Sequence, residues 1–490
     1  MRPAKLCVTV TAETMAELRT RRDQVTDADM VELRLDTVKD PSAAAALAGR
    51  KKPVIVTCRP KSEGGHFNGS EEERRTILSD AIALGAEYVD LEWNGTCADL
   101  MERTGGRRVI LSHHDFTGMP ADIRGKAQAM LSSGAEVVKL AITAERLSDC
   151  VTLREIGRTT RVPMSLIAMG EAGLASRVLA TWMGSCWTYS GDGVAPGQVP
   201  QGQMQDEYRF SRIGARTKIY GVLGKPVSHS VSPAMHNAAF RAAHLDAVYL
   251  PLAAADFDDF TTFADAASLA GVSVTAPFKV SAFERADECD PVSRRIQAVN
   301  TLRREGAKWL GCNTDVSGFL APLQTALKPG MRATILGAGG AARSVSVALA
   351  SAGVKVTVAA RRMDQARAVA ALTGAATTEW PPTPSSWDLL VNATPVGTSP
   401  HTDRSPLPDD YLFHIGGIVY DLVYNPPLTR LLAEAGRARC RTLGGLDMLV
   451  AQAQAQFEWW TGGRPADRVM REAALARLAL QDAETAEGKQ

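Results

Sequence analysis

The chain changes its organisation within the stretch Arg212-Ile-Gly-Ala-Arg-Thr-Lys-Ile-Tyr-Gly-Val-Leu-Gly-Lys-Pro-Val-Ser-His-Ser-Val-Ser-Pro-Ala-Met-His-Asn237. Strand-like and helix-like segments alternate before this stretch, whereas the residues after it follow a different, two-lobed pattern. The stretch itself predicts a strand over 218–223, a turn rich in Gly, Pro and Ser, and a helix with Ser232 as N-cap and Pro233 as its first residue. Such a turn directs hydroxyls and helix amides at one point and suits a carboxylate, although an ordinary capped turn would have the same sequence.

The bulk composition restricts the partners that the chain can bind. Its 490 residues are too many for one hydrophobic core, and this length corresponds to about three domains. The chain contains 55 Lys and Arg against 54 Asp and Glu residues, so neither a nucleic acid nor a membrane surface is indicated. We therefore expect small-molecule ligands, and a homo-oligomer is compatible with these numbers.

The eight cysteines are scattered along the chain. They form no C-x-x-C pair and have no metal-like spacing to His, so we expect reduced thiols, a cytoplasmic location and no metal site. The segment from Lys5 to Thr11 already predicts a strand, and no apolar run approaches the roughly 20 residues of a membrane span, so we expect neither a leader nor an anchor.

Eight apolar, β-branched runs alternate with amphipathic helical stretches between Lys5 and Asp192. This period and length predict a compact (β/α)8 TIM barrel, with an open doubly wound sheet as the alternative. The eight runs are Leu6–Val10, Met30–Leu35, Val54–Cys58, Tyr88–Leu91, Val109–Ser112, Val137–Ile142, Pro163–Ala168 and Trp187–Tyr189.

Polar side chains recur in these runs or just after them. In a barrel, the carboxyl ends of the strands and the loops that follow them carry the catalytic residues. Taken singly, most such residues would be solvated charges or structural ion pairs. The candidates are Glu32, Arg34, Arg59, Glu63, Glu92, His113, His114, Asp115, Lys139, Arg177 and Gln198.

Lys139 differs from the other candidates because it lies inside the apolar run Val-Val-Lys-Leu-Ala-Ile. An unpaired ammonium there would be poorly solvated, which would lower the pKa of the amine and make it nucleophilic. A carboxylate across the barrel, such as that of Glu92, would instead make Lys139 part of a structural ion pair. Both interpretations remain open on this residue alone.

His114 follows the fifth run, in Ser-His-His-Asp-Phe. A histidine titrates near neutral pH and can transfer protons, or it can be a structural residue held by Asp115. The pairing with a buried lysine one strand away favours the catalytic interpretation, because a Schiff base needs a base that removes the adjacent acidified proton.

Together these residues make the first part of the chain resemble the type I 3-dehydroquinate dehydratases. The resemblance covers nearly all of residues 5 to 200. It rests on Glu32-Leu-Arg34, Thr57-Cys-Arg59 with Glu63-Gly-Gly, Ser112-His-His114-Asp-Phe, Val138-Lys139, Ser176-Arg177 and Ala195-Pro-Gly-Gln198.

The resemblance implies a role for each matching position. It implies that Lys139 forms an imine with the substrate ketone, that Glu63 orients His114, and that His114 moves protons. Arg177 would hold the substrate carboxylate, and the hydroxyls and carboxylate surroundings would be bound by Glu32, Arg34, Arg59 and Gln198. The family usually has Ser two residues before the Pro-Gly-Gln where this chain has Val194, so the resemblance does not extend to one hydroxyl contact in the lid.

After residue 217 the chain predicts a small α/β lobe. Its strands are expected at Thr217–Leu223, Val248–Leu252, Gly271–Thr275 and Val299–Leu302. Its polar motifs are Val274-Thr275-Ala-Pro-Phe-Lys279, Ala298-Val-Asn300-Thr and Gly311-Cys-Asn-Thr-Asp315. Singly, such a lysine is usually solvated and such an aspartate usually caps a helix.

With Ser228 and Ser230, these motifs resemble shikimate dehydrogenases in order and spacing. The resemblance implies that Lys279 and Asp315 flank the reacting oxygen as acid/base partners. It also implies that Ser228 and Ser230 bind the substrate carboxylate. Contacts to the hydroxyls or the carboxylate rim are implied for Thr275, Asn300, Tyr424 and Gln452.

A strand that runs into glycines and then a helix follows at Arg332-Ala-Thr-Ile-Leu-Gly337-Ala-Gly339-Gly340-Ala-Ala342. This is the first turn of a Rossmann dinucleotide fold, with Ala342 at the third glycine position. The next predicted strand, 355–358, is followed by Arg361 and Arg362 instead of an acid, which favours NADP(H) over NAD. Family members often have a further Arg where this chain has Gln365. The expected cofactor-binding residues are Gly337, Ala338, Gly339, Gly340, Ala341, Arg361, Arg362, Thr394, Gly445 and Met448.

We therefore predict an α/β chain in which a barrel is followed by a two-lobed shikimate dehydrogenase unit. The predicted domains are a dehydratase barrel over 1–212, a substrate-binding lobe over 217–326 to which helices over 446–480 return, and a Rossmann NADP-binding lobe over 327–445. The predicted function is bifunctional: dehydration of 3-dehydroquinate, then reduction of 3-dehydroshikimate to shikimate with NADPH. The alternatives are a quinate/shikimate dehydrogenase of quinate catabolism, or an inactive regulator with the same folds.

Overall fold

The computed structural model of the chain describes residues 3–95, 98–191, 193, 195–466 and 468–487. Two compact units form, one from Met1–Ile219 with Asp246–Leu269 and the other from Tyr220–Leu245 with Ala270–Gln490. None of the helices in the described ranges is long and apolar enough to cross a lipid bilayer.

The first part of the chain alternates strands with helices. Its strands are β1 (Lys5–Val10), β2 (Met30–Arg34), β3 (Val54–Thr57), β4 (Tyr88–Glu92), β5 (Val109–Asp115), β6 (Val137–Thr143), β7 (Met164–Met169) and β8 (Trp187–Ser190). Its helices are α1 (Met15–Gln24), α2 (Ala43–Leu47), α3 (Glu71–Ala83), α4 (Ala98–Thr104), α5 (Ile123–Leu131), α6 (Asp149–Arg158), α7 (Leu174–Val178) and α8 (Ala180–Met183).

These eight strands pair in the order β7-β6-β5-β4-β3-β2-β1-β8, and the paired strands are parallel. Hydrogen bonds also join the remaining edges: the N–H of Cys186 donates to the carbonyl of Met164 at 2.8 Å, and the Ser165 hydroxyl donates to the carbonyl of Trp187 at 3.2 Å. The predicted barrel is therefore confirmed, and the open sheet is wrong for this part of the chain. Apolar residues such as Ile55 and Ile110 fill its core.

One strand is longer than its apolar run predicts. β5 continues to Asp115 because the ladder to β6 extends through His113, His114 and Asp115, opposite Leu140, Ala141 and Ile142. The His114 side chain is thus fixed by a strand instead of a loop.

The next part forms a mixed sheet in the order β10-β9-β11-β13-β14-β12. The strands are β9 (Lys218–Gly224), β10 (Ala247–Ala253), β11 (Gly271–Val274), β12 (Glu288–Cys289), β13 (Thr301–Glu305) and β14 (Lys308–Cys312). The helices are α9 (Ser232–Ala242), α10 (Phe257–Ala266), α11 (Lys279–Arg285), α12 (Pro291–Ile296) and α13 (Asp315–Leu320). The expectation that Ser232 is the N-cap of α9 is wrong: Val231 takes that position, and the Ser230 hydroxyl accepts the N–H of Ser232 at 3.2 Å.

The last sheet has the order β17-β16-β15-β18-β19-β20, and the paired strands are parallel. This is the Rossmann order, and it reverses direction between β15 and β18, where such sheets bind nucleotides. The strands are β15 (Arg332–Leu336), β16 (Lys355–Ala359), β17 (Ala376–Thr378), β18 (Leu389–Asn392), β19 (Ile418–Asp421) and β20 (Arg441–Leu443). The helices are α14 (Gly340–Ser351), α15 (Met363–Ala371), α16 (Arg430–Arg437), α17 (Gly445–Thr461) and α18 (Val469–Glu487), of which α17 packs on α9 and α13, and α18 on α9.

Two candidate active sites

The carboxyl ends of the barrel strands surround a cavity of about 80 Å³. The eight barrel residues to which the resemblance gives a role line it together, with Lys139 on β6, His114 on β5 and Arg177 on α7, whereas the candidates Glu92, His113 and Asp115 do not. Its lining is Thr9, Glu32, Arg34, Arg59, Glu63, Gly64, His114, Phe116, Lys139, Ala141, Ile167, Met169, Arg177, Tyr189, Ala195 and Gln198. Val194, the departure from the family pattern, lies outside the described residues.

The ammonium of Lys139 is buried and paired. Its Nζ lies 3.1 Å from Oδ2 of Asp90, 3.8 Å from Oε1 of Glu32 and 4.3 Å from the centre of the Tyr189 ring. The partner suggested by the sequence, Glu92, is the wrong carboxylate. Its two oxygens are already occupied, because Arg59 and Arg74 donate to them at 2.8 and 2.7 Å.

Asp90 is the ion-pair partner of Lys139 that the sequence interpretation missed. It is fully buried and accepts hydrogen bonds from Lys139 and, at 2.6 Å, from the hydroxyl of Ser112. Burial alone would raise the pKa of its carboxyl, but the Arg59 guanidinium, 2.8 Å away, and the Lys139 ammonium hold that pKa well below its usual range. Its place two residues before Glu92, on the same face of β4, was the available signal.

His114 and Glu63 face each other without a hydrogen bond. Nδ1 of His114 lies 3.5 Å from Oε2 of Glu63, and neither atom has a hydrogen-bond partner among the described residues. Burial, followed by the positive charges of Arg59 and Lys139, holds the pKa of His114 well below its usual value. The imidazole is therefore neutral at neutral pH and can accept a proton. Burial also raises the pKa of Glu63.

Arg177 places at the cavity a guanidinium that has few hydrogen-bond partners. It is 2% exposed, its Nη2 donates to the carbonyl of Pro196 at 3.1 Å, and its Nε has no hydrogen-bond partner among the described residues. Burial lowers its pKa to about 10, so it still carries its charge at neutral pH. An uncompensated buried cation of this kind fits a carboxylate ligand.

Arg34 and Gln198 are held in place by neighbours at the rim. Arg34 makes a bidentate pair with the buried Asp36, at 2.9 and 2.7 Å. The Oε1 of Gln198 accepts the N–H of Ala195 at 3.1 Å, and its Nε2 lies 3.4 Å from the hydroxyl of Thr9. Both side chains therefore present fixed polar atoms.

A second cavity, of about 660 Å³, lies in the other compact unit. Of the residues that the sequence predicts for the reductase, the lining includes Ser230, Thr275, Lys279, Asn300, Asp315, Ala341, Tyr424, Gly445, Met448 and Gln452. Ser228 is exposed two residues before Ser230 and is not part of the lining. Gln481 and Asp482 of α18, which the sequence interpretation did not include, also line this cavity.

Lys279 and Asp315 form the central contact of this cavity. Nζ of Lys279 donates to Oδ2 of Asp315 at 2.6 Å, and the Asn300 amide donates to the other oxygen at 2.7 Å. Asn300 is itself fixed, since its oxygen accepts the N–H of Thr314 at 2.8 Å. Asp315 is the first residue of α13, where the helix dipole favours a carboxylate.

The glycine-rich turn after β15 leaves room for a dinucleotide. Gly337 has a φ of +108°, and a Cβ there would lie 2.9 Å from Cγ2 of Thr394, so only glycine fits. A Cβ on Gly339 would meet nothing within 4 Å, and α14 begins at Gly340, where the first amides of a helix have no partner within it. Arg361 and Arg362 are exposed after β16, while Asp364 lies in the first turn of α15. The turn suits a pyrophosphate and the guanidinium pair suits a 2′-phosphate, so these residues fit NADP(H).

Asp421 was also missed by the sequence interpretation. It is fully buried at the end of β19, and it accepts hydrogen bonds from Asn392 at 2.9 Å, the N–H of Val423 at 3.0 Å and the Thr429 hydroxyl at 2.6 Å. Burial raises its pKa to about 6. Asn392 in turn accepts from Thr394, at 2.6 Å to the hydroxyl, so Asp421 anchors the loop that carries Thr394.

Metal-binding groups are not evident: in the described ranges, no cluster of three or more His, Cys, Asp or Glu side chains could hold a metal ion.

Family comparisons agree with this geometry along most of the chain. Residues 6–215 match the type I 3-dehydroquinase family, residues 222–302 the shikimate dehydrogenase substrate binding domain, and residues 445–475 the shikimate 5′-dehydrogenase C-terminal domain.

Individual proteins match either the whole chain or its second part. The shikimate dehydrogenase (NADP(+)) of Moorella thermoacetica is 43% identical over 54% of this chain and 95% of its own length. A crystal structure of a shikimate dehydrogenase in complex with NADP+ superposes with a TM-score of 0.52 at 33% identity, over 54% of this chain and 97% of that one. The chloroplastic bifunctional 3-dehydroquinate dehydratase/shikimate dehydrogenase of Arabidopsis thaliana is 34% identical over 94% of this chain and 82% of its own length. The chain belongs to the bifunctional 3-dehydroquinate dehydratase/shikimate dehydrogenase family.

Proposed function

We propose that the chain catalyses two consecutive steps, each in one of the two cavities. The barrel dehydrates 3-dehydroquinate to 3-dehydroshikimate, and the second unit reduces 3-dehydroshikimate to shikimate with NADPH. The observation that carries the proposal is the convergence of a buried Lys139 and a neutral His114 on one cavity. We also propose a cytoplasmic location, which the seven described cysteines, all free thiols, support.

The dehydration begins at Lys139. Its ammonium gives up one proton, and the amine that results adds to the substrate ketone. The ketone oxygen takes that proton and a second one from the nitrogen and leaves as water, so that a protonated imine remains next to Asp90 and Glu32. These carboxylates stabilise the cation, while the imine acts as an electron sink that acidifies the neighbouring C–H.

His114 then moves the protons. Its neutral imidazole takes the acidified proton, and the electron pair of that C–H bond moves to the imine nitrogen. When the electron pair moves back from the nitrogen, it expels the substrate hydroxyl, which takes the proton from His114 and leaves as water. Water hydrolyses the protonated imine, which releases 3-dehydroshikimate and restores the Lys139 ammonium. Glu63, 3.5 Å from His114, orients the ring and faces the charge that forms on it.

Substrate orientation in the barrel comes from the fixed polar groups around these two residues. Arg177 pairs with the substrate carboxylate, because its guanidinium is charged, buried and incompletely hydrogen-bonded. The remaining contacts, to hydroxyls and the carboxylate surroundings, come from Glu32, Arg34, Arg59 and Gln198.

In the reductase, bound NADPH would supply a hydride to the substrate carbonyl carbon. Lys279 gives a proton to the oxygen that becomes the hydroxyl and takes it back in the reverse direction, while its acid/base partner Asp315 holds the lysine at 2.6 Å. Ser228 and Ser230 bind the carboxylate, and Thr275, Asn300, Tyr424 and Gln452 bind the rest of the substrate. Cofactor contacts come from Gly337 to Ala341, Arg361, Arg362, Thr394, Gly445 and Met448.

Borohydride reduction during turnover of 3-dehydroquinate tests the dehydratase half. A stable adduct on the peptide that contains Lys139 is expected, and an adduct elsewhere or none would refute the assignment. His114→Ala should slow turnover by roughly 10²- to 10⁴-fold while the adduct still forms.

Kinetics of Lys279→Ala and Asp315→Asn test the reductase half. Both variants should lose turnover by a similar factor with NADPH affinity almost unchanged, because both residues lie at the proposed substrate position. The alternative of an inactive regulator predicts no turnover in the wild type. A quinate-type enzyme predicts a preference for quinate and NAD.

A further inference from the structure

The carboxylate of Asp259 lies where the N-termini of two helices meet. Asp259 is the third residue of α10 and is 1% exposed. Its Oδ2 accepts the N–H of Ala255, just before α10, at 2.8 Å, and the N–H of Leu147 at 2.9 Å. Its Oδ1 accepts the N–H of Ser148 at 2.8 Å.

Leu147 and Ser148 stand at the start of α6, which has no cap of its own. Ser148 is the N-cap residue, but its side chain makes no capping hydrogen bond. The first amides of α6 bond to the carbonyls of the preceding turn, such as Cys150 N–H to Leu147 at 3.2 Å, and a carboxylate near a helix N-terminus is favourable. Asp259 therefore fixes the turn that opens α6, from a position 111 residues further along the chain.

Carboxylates hold four of the five amides in the loop of residues 144–148, which leads into α6. The N–H groups of Glu145 and Arg146 both donate to Asp149 at 3.0 Å, and the next two donate to Asp259. Two of these four amides thus depend on a residue outside the barrel sequence.

Other contacts place the same segment against the barrel. The Arg146 guanidinium lies 2.8 Å from Asp256, Trp182 packs edge-on against Phe263 with ring centres 5.6 Å apart, and α7 packs against β10. Residues 246–269 belong to the same compact unit as the barrel. They nevertheless lie within the match to the shikimate dehydrogenase substrate binding domain, 222–302.

The elements that this segment holds carry the dehydratase groups. The loop of residues 144–148 directly continues β6, which bears Lys139, and it rests on β7 through the N–H of Ala144 and the carbonyl of Met169, at 2.9 Å. α7 bears Arg177. A small displacement of such groups is expensive, since an error of about 1 Å can reduce a rate about 100-fold.

We propose that Asp259 is a positioning residue of the dehydratase, although it lies in the reductase part of the sequence. It fixes the β6–α6 loop, and through it the end of the strand that carries Lys139. This inference rests on the proposed assignment of dehydration to the barrel.

The test uses the full chain with Asp259→Asn. An amide keeps the shape but replaces one acceptor oxygen by a donor, so it cannot accept all three N–H groups. We expect kcat of the dehydratase to fall about tenfold or more, and the rate of borohydride trapping at Lys139 to fall with it. The reductase constants for shikimate and NADP+, measured on the same preparation, should stay within about twofold.

Asp256→Asn is the matched control. It lies on the same helix, it loses the half-exposed ion pair with Arg146, and Asn caps a helix as well as Asp does. Both activities of this variant should remain within about twofold of the wild type. Unchanged dehydratase kcat in Asp259→Asn would overturn the proposal, and so would an equal loss in both variants or in both activities.

Hydrogen exchange and a second variant cover the remaining outcomes. The amides of Leu147 and Ser148 should be protected in the wild type and lose protection in Asp259→Asn, a result that does not depend on which reaction the barrel catalyses. If that variant does not fold, Arg146→Met, which removes both the pair with Asp256 and the contact with Asp259, whose Oδ1 lies 3.7 Å from Nε of Arg146, should lower dehydratase kcat about threefold with reductase kcat unchanged. No loss in Arg146→Met would then overturn the proposal. A wild type without dehydratase activity or adduct would instead refute the proposed function.

Discussion

Lys139 and Asp90 form a buried ion pair, with Nζ 3.1 Å from Oδ2, on β6 and β4. The same carboxylate also accepts from Arg59 and Ser112, at 2.8 and 2.6 Å. The lysine proposed to form the imine is therefore oriented by an acid that stays ionised, because two cations hold the pKa of Asp90 well below its usual range. We therefore expect Asp90 to contribute to the stability of the barrel as well as to the position of Lys139.

Asp90→Asn should destabilise the barrel strongly. The substitution leaves Arg59 and Lys139 buried beside a neutral amide, and removal of one partner of a buried pair costs about 3–5 kcal/mol. Urea unfolding, monitored by the hydrogen exchange of barrel amides, measures this loss of unfolding free energy. The control is Glu155→Gln, which breaks an exposed pair with Arg124 in the same barrel and should cost about 1 kcal/mol or less. Equal losses in the two variants would contradict the prediction.

The dehydratase should keep its rate below the pH at which an ordinary histidine is protonated. The pKa of His114 lies well below its usual 6.5, first because of burial and then because of Arg59 and Lys139. A lowered pKa means that the neutral base persists as the pH falls through 6.5, so the acid limb of kcat should begin well below that value. The reductase activity of the same sample shows whether the chain is still folded. A half-maximal kcat near pH 6.5 would contradict this expectation.

Local sequence patterns predicted the structural features that depend on residues close together in the chain. The eight apolar runs gave the barrel strands, and motifs such as Ser112-His-His114 placed His114 beside Lys139 because successive strands of a barrel are neighbours. The partner of Lys139 was mistaken because strand position alone does not show that Arg59 and Arg74 already occupy Glu92.

Contacts between segments that are distant in the sequence could not be predicted from such local patterns. Nothing near Ser148 in the sequence indicates that Asp259 accepts its N–H, since the pairing arises from packing across 111 residues. Asp421 shows the same limitation, because an acid at the end of a strand becomes informative only when its burial and its three donors are known.

Arg361 and Arg362 should determine the preference for NADPH. Both follow β16 and are exposed, and Asp364 lies beyond them in α15 instead of at the ribose position. Replacing both by Gln should raise KM for NADPH about 10- to 100-fold, since a charged hydrogen bond contributes about 1.5–3 kcal/mol, with little change for NADH. The control is Arg367→Gln, one turn into α15. An unchanged ratio of the two KM values would show that other residues bind the 2′-phosphate.

Asp421 should make the stability of the Rossmann lobe depend on pH in an unusual direction. Burial raises its pKa from 3.8 to about 6, so the folded lobe keeps the proton while the unfolded chain releases it. Its contribution is fully present below about pH 4 and is lost as the pH rises to about 6. At about 1.4 kcal/mol per pKa unit, the change approaches 3 kcal/mol.

Comparison with Asp421→Asn isolates this effect. Asn cannot ionise, and the Thr429 hydroxyl can turn to accept from its amide, so the variant should gain stability relative to the wild type as the pH rises from 4 to 7. Thermal unfolding of the lobe, with and without NADP+, measures the difference at each pH. Because Asp421 anchors Asn392 and with it Thr394, the variant should also bind NADP+ more weakly at every pH. Parallel stability curves for the two proteins would show that Asp421 is already ionised in the folded chain at pH 4, held so by its three donors.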